Sequence, residues 1–346
     1  MPPEKTTPPK PIPSHDVPWT EWTDMPRFAL RYRHLTRAAV GEHYNVGVVI
    51  EELGPGKQSA PAHYHLFEEE HLYILEGTVT LRLGAGSHEM KAGDYVCLPA
   101  GQKAGHCLVN NSSAPCRYVG VGEHKAKEVA VYTDSNKVLL RGLGRVLDLG
   151  ATRGYWDGED TGLPARETGQ SKTAATEAPA TEAPVTPKPP IASQDVPWDK
   201  EGPGRGTRFG GRSKHLTGAA VGKDYHVGLL IESPAPGRRL CPRHYHMLEE
   251  EHALILDGQV TLLFGDDRYE LQAGDYVCFP AGQKVGHCFL NSGSGPCSYL
   301  MIGERNPNEV CVYPDSNKVS VRALRSEDDI FDMAAVRRYW DGEELK

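Results

Sequence analysis

A set of four potential metal donors occurs twice in this chain at the same internal spacing. His63, His65, Glu70 and His106 return 181 residues later as His244, His246, Glu251 and His287. The repetition runs well beyond these donors. Arg33-His-Leu-Thr36 reappears as Lys214-His-Leu-Thr217, and Val131-Tyr-Thr-Asp-Ser-Asn-Lys-Val138 as Val312-Tyr-Pro-Asp-Ser-Asn-Lys-Val319. Tyr155-Trp-Asp-Gly-Glu159 returns as Tyr339-Trp-Asp-Gly-Glu343, and Asp16-Val-Pro-Trp19 as Asp195-Val-Pro-Trp198. Self-similarity on this scale means one structural unit built twice, so each set of donors belongs to its own copy.

The 346 residues suffice for two domains that each bury a core. The stretch from about Leu163 to Pro190 is dominated by Thr, Ala, Pro and Glu and is too poor in apolar residues to fold on its own. The expected division is a disordered tail over 1–13, a first domain over 14–160, a linker over 161–192 and a second domain over 193–346. The amino-terminal segment lacks the apolar core of a secretory signal, and no run of about 18 apolar residues is present, so a cytoplasmic protein without a membrane span is expected. A net charge of −8 and the lack of a basic run argue against nucleic acid and anionic membranes as partners. The eight cysteines form no C-x-x-C pair, which leaves buried free thiols as the expectation. Cys241 and Cys311 have no counterpart in the other copy.

Within each copy the pattern is that of β-structure. Val46-Gly-Val-Val-Ile50 and Val227-Gly-Leu-Leu-Ile231 are short apolar runs, and Thr78-Val-Thr-Leu-Arg-Leu83 alternates as a half-buried strand does. Strands roughly every 8 to 12 residues, separated by Gly-rich turns, predict an all-β sandwich or barrel. Helical periodicity is scarce, and its best candidate is Ser326 to Arg338.

Alternate residues of a strand share a face, so His63 and His65 point together while Tyr64 points away. Glu70 opens the next apolar segment, and His106 opens another strand after the turn at Pro99–Gly101. Three neighbouring strands are thus expected to deliver four donors to one point, once in each copy. Imidazole and carboxylate suit Mn, Fe, Co, Ni, Cu or Zn, so one divalent transition metal per barrel is expected. His71 and His252 should face away from the ion. Cys107 and Cys288, one residue beyond the third histidine, should do so too.

These residues resemble the cupin superfamily. Gly56-x6-His63-x-His65-x4-Glu70-x6-Gly77 is similar to the first cupin motif, and Gly93-x5-Pro99-x-Gly101-x4-His106-x3-Asn110 to the second. The other copy supplies Gly237, His244, His246, Glu251 and Gly258, then Gly274, Pro280, Gly282, His287 and Asn291. The resemblance implies a bicupin: two double-stranded β-helix barrels, jelly-roll-like and in tandem, each with a three-histidine, one-glutamate metal site. In the family, Glu70 and Glu251 could double as proton acceptors.

By strand parity the inner neighbours of the donors are Leu72, Ile74 and Leu108 in the first barrel and Ala253, Ile255 and Phe289 in the second. The cavities therefore read as apolar, with no second acid or base on the inner face. Arg27, Arg31, Arg208, Arg212 and Arg243 are candidates for gripping an anion at the barrel mouths, and solvated arginines otherwise. Trp19, Trp22, Trp156, Trp198 and Trp340 sit at domain ends and should pack barrel on barrel or against a partner chain, a homodimer being one expected assembly. The Asp-Ser-Asn-Lys segments at 134–137 and 315–318 read as turns. The functional expectation is a mononuclear metalloenzyme, dioxygenase-like, acting on a small oxygen-rich molecule. The alternatives are a non-catalytic metal- or small-molecule-binding cupin, or a metal-dependent isomerase or decarboxylase.

Overall fold

The strand Val46–Leu53 shows how this sequence builds its fold. Val46, Val48 and Ile50 leave one face and are buried against the other barrel. Gly47, Val49 and Glu51 leave the opposite face and line a cavity of their own barrel. Both faces are covered, so the apolar run has no polar alternation. The chain is described by a computed structural model over residues 8–23, 25–159, 187–199, 208–324, 330–338 and 341.

Each copy is a pair of facing antiparallel sheets. In the first barrel one sheet runs in the order Ile191–Ala192, Asp94–Leu98, Glu70–Glu76, Cys116–Glu123, Val46–Leu53, Leu30–His34 and Thr20–Trp22. The other runs Arg145–Asp148, Lys137–Leu140, Val129–Tyr132, His63–His65, His106–Val109, Thr78–Leu83 and Gly86–Lys91. The second barrel repeats the plan, its second sheet split in two and rejoined by a single bridge between His244 and His287. The protein is all-β in architecture, two tandem barrels of the cupin type. Leu72, Ile74 and Leu108, and Ala253, Ile255 and Phe289, lie in the cores inside the barrels, as parity requires.

A third core lies between the barrels, where the two glutamate-bearing sheets pack face to face. Val48, Val119 and Val121 of the first barrel meet Leu229, Leu300 and Ile302 of the second in one buried cluster. Within the expected tail, Ile12–Pro13 is a strand paired with Asp275–Phe279 of the second barrel. Within the expected linker, Ile191–Ala192 pairs with Asp94–Leu98 of the first. The segment leading into each barrel thus closes a sheet edge of the other, satisfying backbone groups that an open edge leaves free. Trp19 and Trp198 pack against the inter-barrel core, Trp22 packs inside its own barrel and Trp156 is exposed. Trp340, residues 1–7 and residues 160–186 lie outside the described residues.

The expected helix over Ser326 to Arg338 is not found. Phe331–Asp332 is a strand on the edge of a sheet, and residues 326–329 lie outside the described residues. The α-helices among the described residues are Leu35–Val40 and Leu216–Val221, stopped at Gly41 and Gly222, whose φ values of 82° and 92° suit glycine. Six residues are too few to show a helical period in sequence. Their consequence is to bring Thr36 and Thr217 to the interface.

There the threonines join a buried polar relay that crosses between barrels. The Tyr95 hydroxyl lies 2.7 Å from His71 Nδ1 and 2.6 Å from Thr217 Oγ1, and Thr217 accepts the Leu229 amide at 2.8 Å. Glu69, 3.1 Å from His71 Nε2, reaches across to accept the Val227 amide at 3.0 Å. The mirror set joins Tyr276 to His252 at 2.8 Å and to Thr36 at 2.9 Å, while Glu250 accepts the amides of Asn45 and Val46. His71 and His252 face away from the donor cluster, as expected, and are fully buried hydrogen-bonding groups rather than solvated ones.

Removing one relay hydroxyl leaves a buried imidazole and threonine short of a partner. Tyr95→Phe and Tyr276→Phe should each lower stability by about 1–3 kcal/mol, read by chemical denaturation. Removal of residues 1–13 should raise hydrogen exchange in Asp275–Phe279 of the second barrel rather than in the first barrel. Unchanged exchange there would argue against the strand exchange.

Candidate metal centre

His63 and His65 leave one face of the strand His63–His65, and His106 sits directly opposite His63 on the adjoining strand. Glu70 comes from the facing sheet rather than from a third neighbouring strand. The four donors therefore converge from both walls of the barrel. One ligand atom from each of His63, His65, Glu70 and His106 lies within 4.8 Å of all the others. His106 Nε2 is 2.8 Å from Glu70 Oε2, and His65 Nε2 is 3.5 Å from Glu70 Oε1. In the second barrel the corresponding distances to Glu251 are 2.9 Å from His287, 3.3 Å from His246 and 3.7 Å from His244.

The outer ring nitrogens are held by groups that the sequence reading did not single out. His63 Nδ1 lies 2.8 Å from the Pro61 carbonyl, and His244 Nδ1 2.8 Å from that of Pro242. A carbonyl only accepts, so Nδ1 donates and Nε2 keeps a lone pair aimed at the carboxylate. His65 Nδ1 faces Glu128 at 3.3 Å and Glu68 at 3.7 Å, and His246 Nδ1 faces Glu309 at 3.3 Å and Glu249 at 3.6 Å. Glu128 is fixed by the amides of Leu66 and Phe67, and Glu68 by Arg141. Every one of these groups recurs in the other copy (Glu128 as Glu309, Glu68 as Glu249, Arg141 as Arg322), and that recurrence was the available signal.

The electrostatics fit a cation at the point of convergence. Burial pushes the pKa of His63 and of His244 down to about 4, which keeps both rings neutral and their lone pairs free. Burial would raise Glu70, but the charge of His65 and the hydrogen bond from His106 outweigh it and hold the carboxyl far below its usual range. The same balance, led by His246, holds Glu251 low. Both ring nitrogens of His65 and of His246 are buried without a well-aligned hydrogen-bond partner. Burial would lower His246, but the charge and hydrogen bond of Glu251 and the hydrogen bond of Glu309 push it up to about 11, so the site demands a positive charge between ring and carboxylate. A divalent ion supplies that charge, and the donor set suits one.

The cavity is less apolar than parity implied. The strand beginning at Val46 continues past Ile50 to Leu53 and carries Glu51 onto the inner face, directly across from Tyr118. Glu51 and Tyr118 line a cavity of about 300 Å³ together with His63, Glu70 and His106. Burial raises Glu51 to about 7 against the opposing hydrogen bond with Tyr118. Glu232 and Tyr299 repeat the pair, and burial raises Glu232 to about 7 as well. The absence of an acid on the inner wall is therefore corrected in both barrels. The recurrence of Ile-Glu at 50–51 and 231–232 was the signal.

The mouth arginines are largely engaged by the protein itself. Arg31 pairs with Glu52 at 2.6 Å, Arg27 donates to Gln58 at 3.0 Å and Arg243 donates to Asp315. Arg212 lies over the Trp198 ring at 4.3 Å. Asn136 and Asn317, at φ 50° and 51°, make the expected turns. All eight cysteines are free.

Residues 49–122 and 230–303 each match the cupin domain family. A 68-residue stretch is 31% identical to the tetracenomycin polyketide synthase protein TcmJ of Streptomyces glaucescens, covering 20% of this chain and 44% of that protein, less than half its length. A Pseudomonas aeruginosa protein designated glyoxylate-induced shares the fold over 87% of this chain and 91% of its own, with a TM-score of 0.56 at 17% identity. Oxalate decarboxylase from Lactobacillus farciminis, in a formate complex, does so over 90% of each chain, with a TM-score of 0.54 at 16% identity. No helix among the described residues is long and apolar enough to cross a membrane. Two cupin matches, in two barrels whose donor sets fall at the family's motif positions, make the chain a bicupin.

Proposed function

We propose that the chain is a metal-dependent cupin enzyme that moves protons on a small, oxygen-rich anion. His63, His65, Glu70 and His106 would hold a divalent transition metal in the first barrel, and His244, His246, Glu251 and His287 would hold one in the second. When bound, such an ion supplies a Lewis acid that polarises the substrate's oxygens. The observation that carries the reading is the convergence of three imidazoles on one ionised carboxylate, with a second carboxyl sharing the cavity.

The division of roles between the two carboxyls follows from their surroundings. Glu70 is held too acidic by its histidine neighbours to take up a proton near neutrality. Burial raises Glu51 to about 7, so it can give or take one, with Tyr118 beside it across the ladder. The proton-handling role expected of Glu70 and Glu251 passes to Glu51 and Glu232. A proton donor in the cavity favours decarboxylation or isomerisation over oxygen-dependent cleavage, which drew its support from an apolar pocket. The fold shared with an oxalate decarboxylase is consistent with a carboxylate-bearing substrate.

Purified without chelators, the protein should carry close to two ions per chain, and His65→Ala or His246→Ala should leave one. Loss of both ions from either single variant would refute independent sites. Turnover should be sought over a panel of dicarboxylates, 2-oxo acids and enols. Glu51→Gln combined with Glu232→Gln should keep both ions yet lose about 10²–10⁴-fold in kcat, together with the limb of the pH profile near 7. Turnover that consumes dioxygen stoichiometrically would restore the oxygenase reading.

Glu51 also makes a statement about stability. Its folded pKa exceeds the ordinary carboxyl value, so the metal-free chain should lose stability as pH rises from about 5 to 8. Glu51→Gln should remove its own share of that loss, on the order of 1–3 kcal/mol, and change little at pH 5, since Glu232 and Glu250, also raised to about 7, contribute in the same window.

A further inference from the structure

The two metal centres are not alike, and thiols make the difference. Where the first barrel has Ala60 and Ala130, the second has Cys241 and Cys311, the two cysteines without a counterpart. Cys241 Sγ lies 3.7 Å from His244 Nδ1, the nitrogen already turned outward to Pro242, so it stands behind the ring. Cys311 stands elsewhere. Its strand Val310–Tyr313 pairs with Tyr245–His246 in the register His246 to Cys311, which sends both side chains from the same face. Cys311 Sγ, one ring nitrogen of His244 and one of His246 lie within 4.8 Å of one another. Both nitrogens of His246 are buried without an aligned hydrogen-bond partner. In the first barrel the same register sets His65 opposite the methyl group of Ala130.

We propose that Cys311 supplies a thiolate to the ion held by His244, His246, Glu251 and His287, a role that the first barrel cannot reproduce. The inference rests on the metal-centre reading above. Metal–nitrogen and metal–sulfur bonds of about 2.1 and 2.3 Å keep two donors on one ion within about 4.4 Å, so a small movement of the cysteine side chain completes the set. Binding releases the thiol proton to solvent. A soft fifth ligand tilts the second barrel toward zinc or copper and away from manganese.

Cobalt(II) is the probe, because a thiolate ligand gives it a near-ultraviolet charge-transfer band that imidazole and carboxylate do not. The metal-free chain loaded with cobalt should bind two ions and show the intensity of one thiolate. Cys311→Ala, which installs the residue found at position 130, should keep both ions and lose the band. Cys241→Ala and His65→Ala should retain it, and Ala130→Cys should add a second band. Two bound cobalt ions with no band, or a band that survives Cys311→Ala, would overturn the proposal. A chain that binds no cobalt would overturn the metal-centre reading, and this inference with it.

Discussion

Successive residues of a β-strand face opposite ways, and the segment Glu69–Glu70–His71 makes the whole molecule depend on that alternation. Glu70 turns inward to the three histidines. Glu69 and His71 turn outward, Glu69 to the backbone of the other barrel and His71 to Tyr95, which passes the relay on to Thr217. Glu250, Glu251 and His252 do the same in reverse. A slip of one residue in either strand would exchange the inward glutamate for an interface group, so the histidine cluster and the inter-barrel contact specify each other's register. Glu68 completes the economy of the run by facing His65 and Arg141 from just before the strand.

The interface itself is mainly apolar, and its polar relay acts more on geometry than on energy. Buried polar groups add little net stability when satisfied and cost heavily when they are not. Each relay hydroxyl has a partner in its own barrel and one in the other, so only one relative placement of the barrels satisfies both relays. The exchanged strands Ile12–Pro13 and Ile191–Ala192 reinforce the same placement by closing the edge beside each tyrosine. Tyr95 and Tyr276 are the partners of Ile191 and Ile12 in those ladders.

The convergence of the His and Glu side chains, the duplicated β-architecture and the inner apolar neighbours were legible because each rests on spacing of two along a strand, or on a motif written twice. What the spacing could not show depends on where a strand ends and on what lies across from it. Glu51 was missed because the apolar run stops at Ile50 while the hydrogen-bonded strand does not. The source of Glu70 in the facing sheet is a matter of topology, which periodicity does not encode. Ile12 and Ile191 were hidden in low-complexity surroundings, where two residues of strand leave no pattern. The helices after His34 and His215 are too short for a period. Arg31 and Arg243 are taken up by Glu52 and Asp315, partners too distant in sequence for the pattern to pair them.

Where the copies differ in their cavity linings, the changes compensate one another. In the first barrel Leu72 stands across the ladder from Gly120, and in the second Ala253 stands across from Met301, so bulk has moved from one strand to its neighbour. Leu98 and Leu108 correspond to Phe279 and Phe289. Phe279 lies flat on His287, with ring centroids 3.7 Å apart and planes 6° from parallel. Such a stack restrains the third histidine of the second barrel in a way that Leu98 cannot restrain His106. Packing therefore holds the second histidine cluster more rigidly, while both barrels keep a cavity against their clusters, one lined by Glu51, His63, Glu70 and His106 and the other by Glu232, His246 and Glu251. The substitutions thus preserve the volume of each barrel while changing what borders the third histidine, a ring face in one copy and an aliphatic side chain in the other.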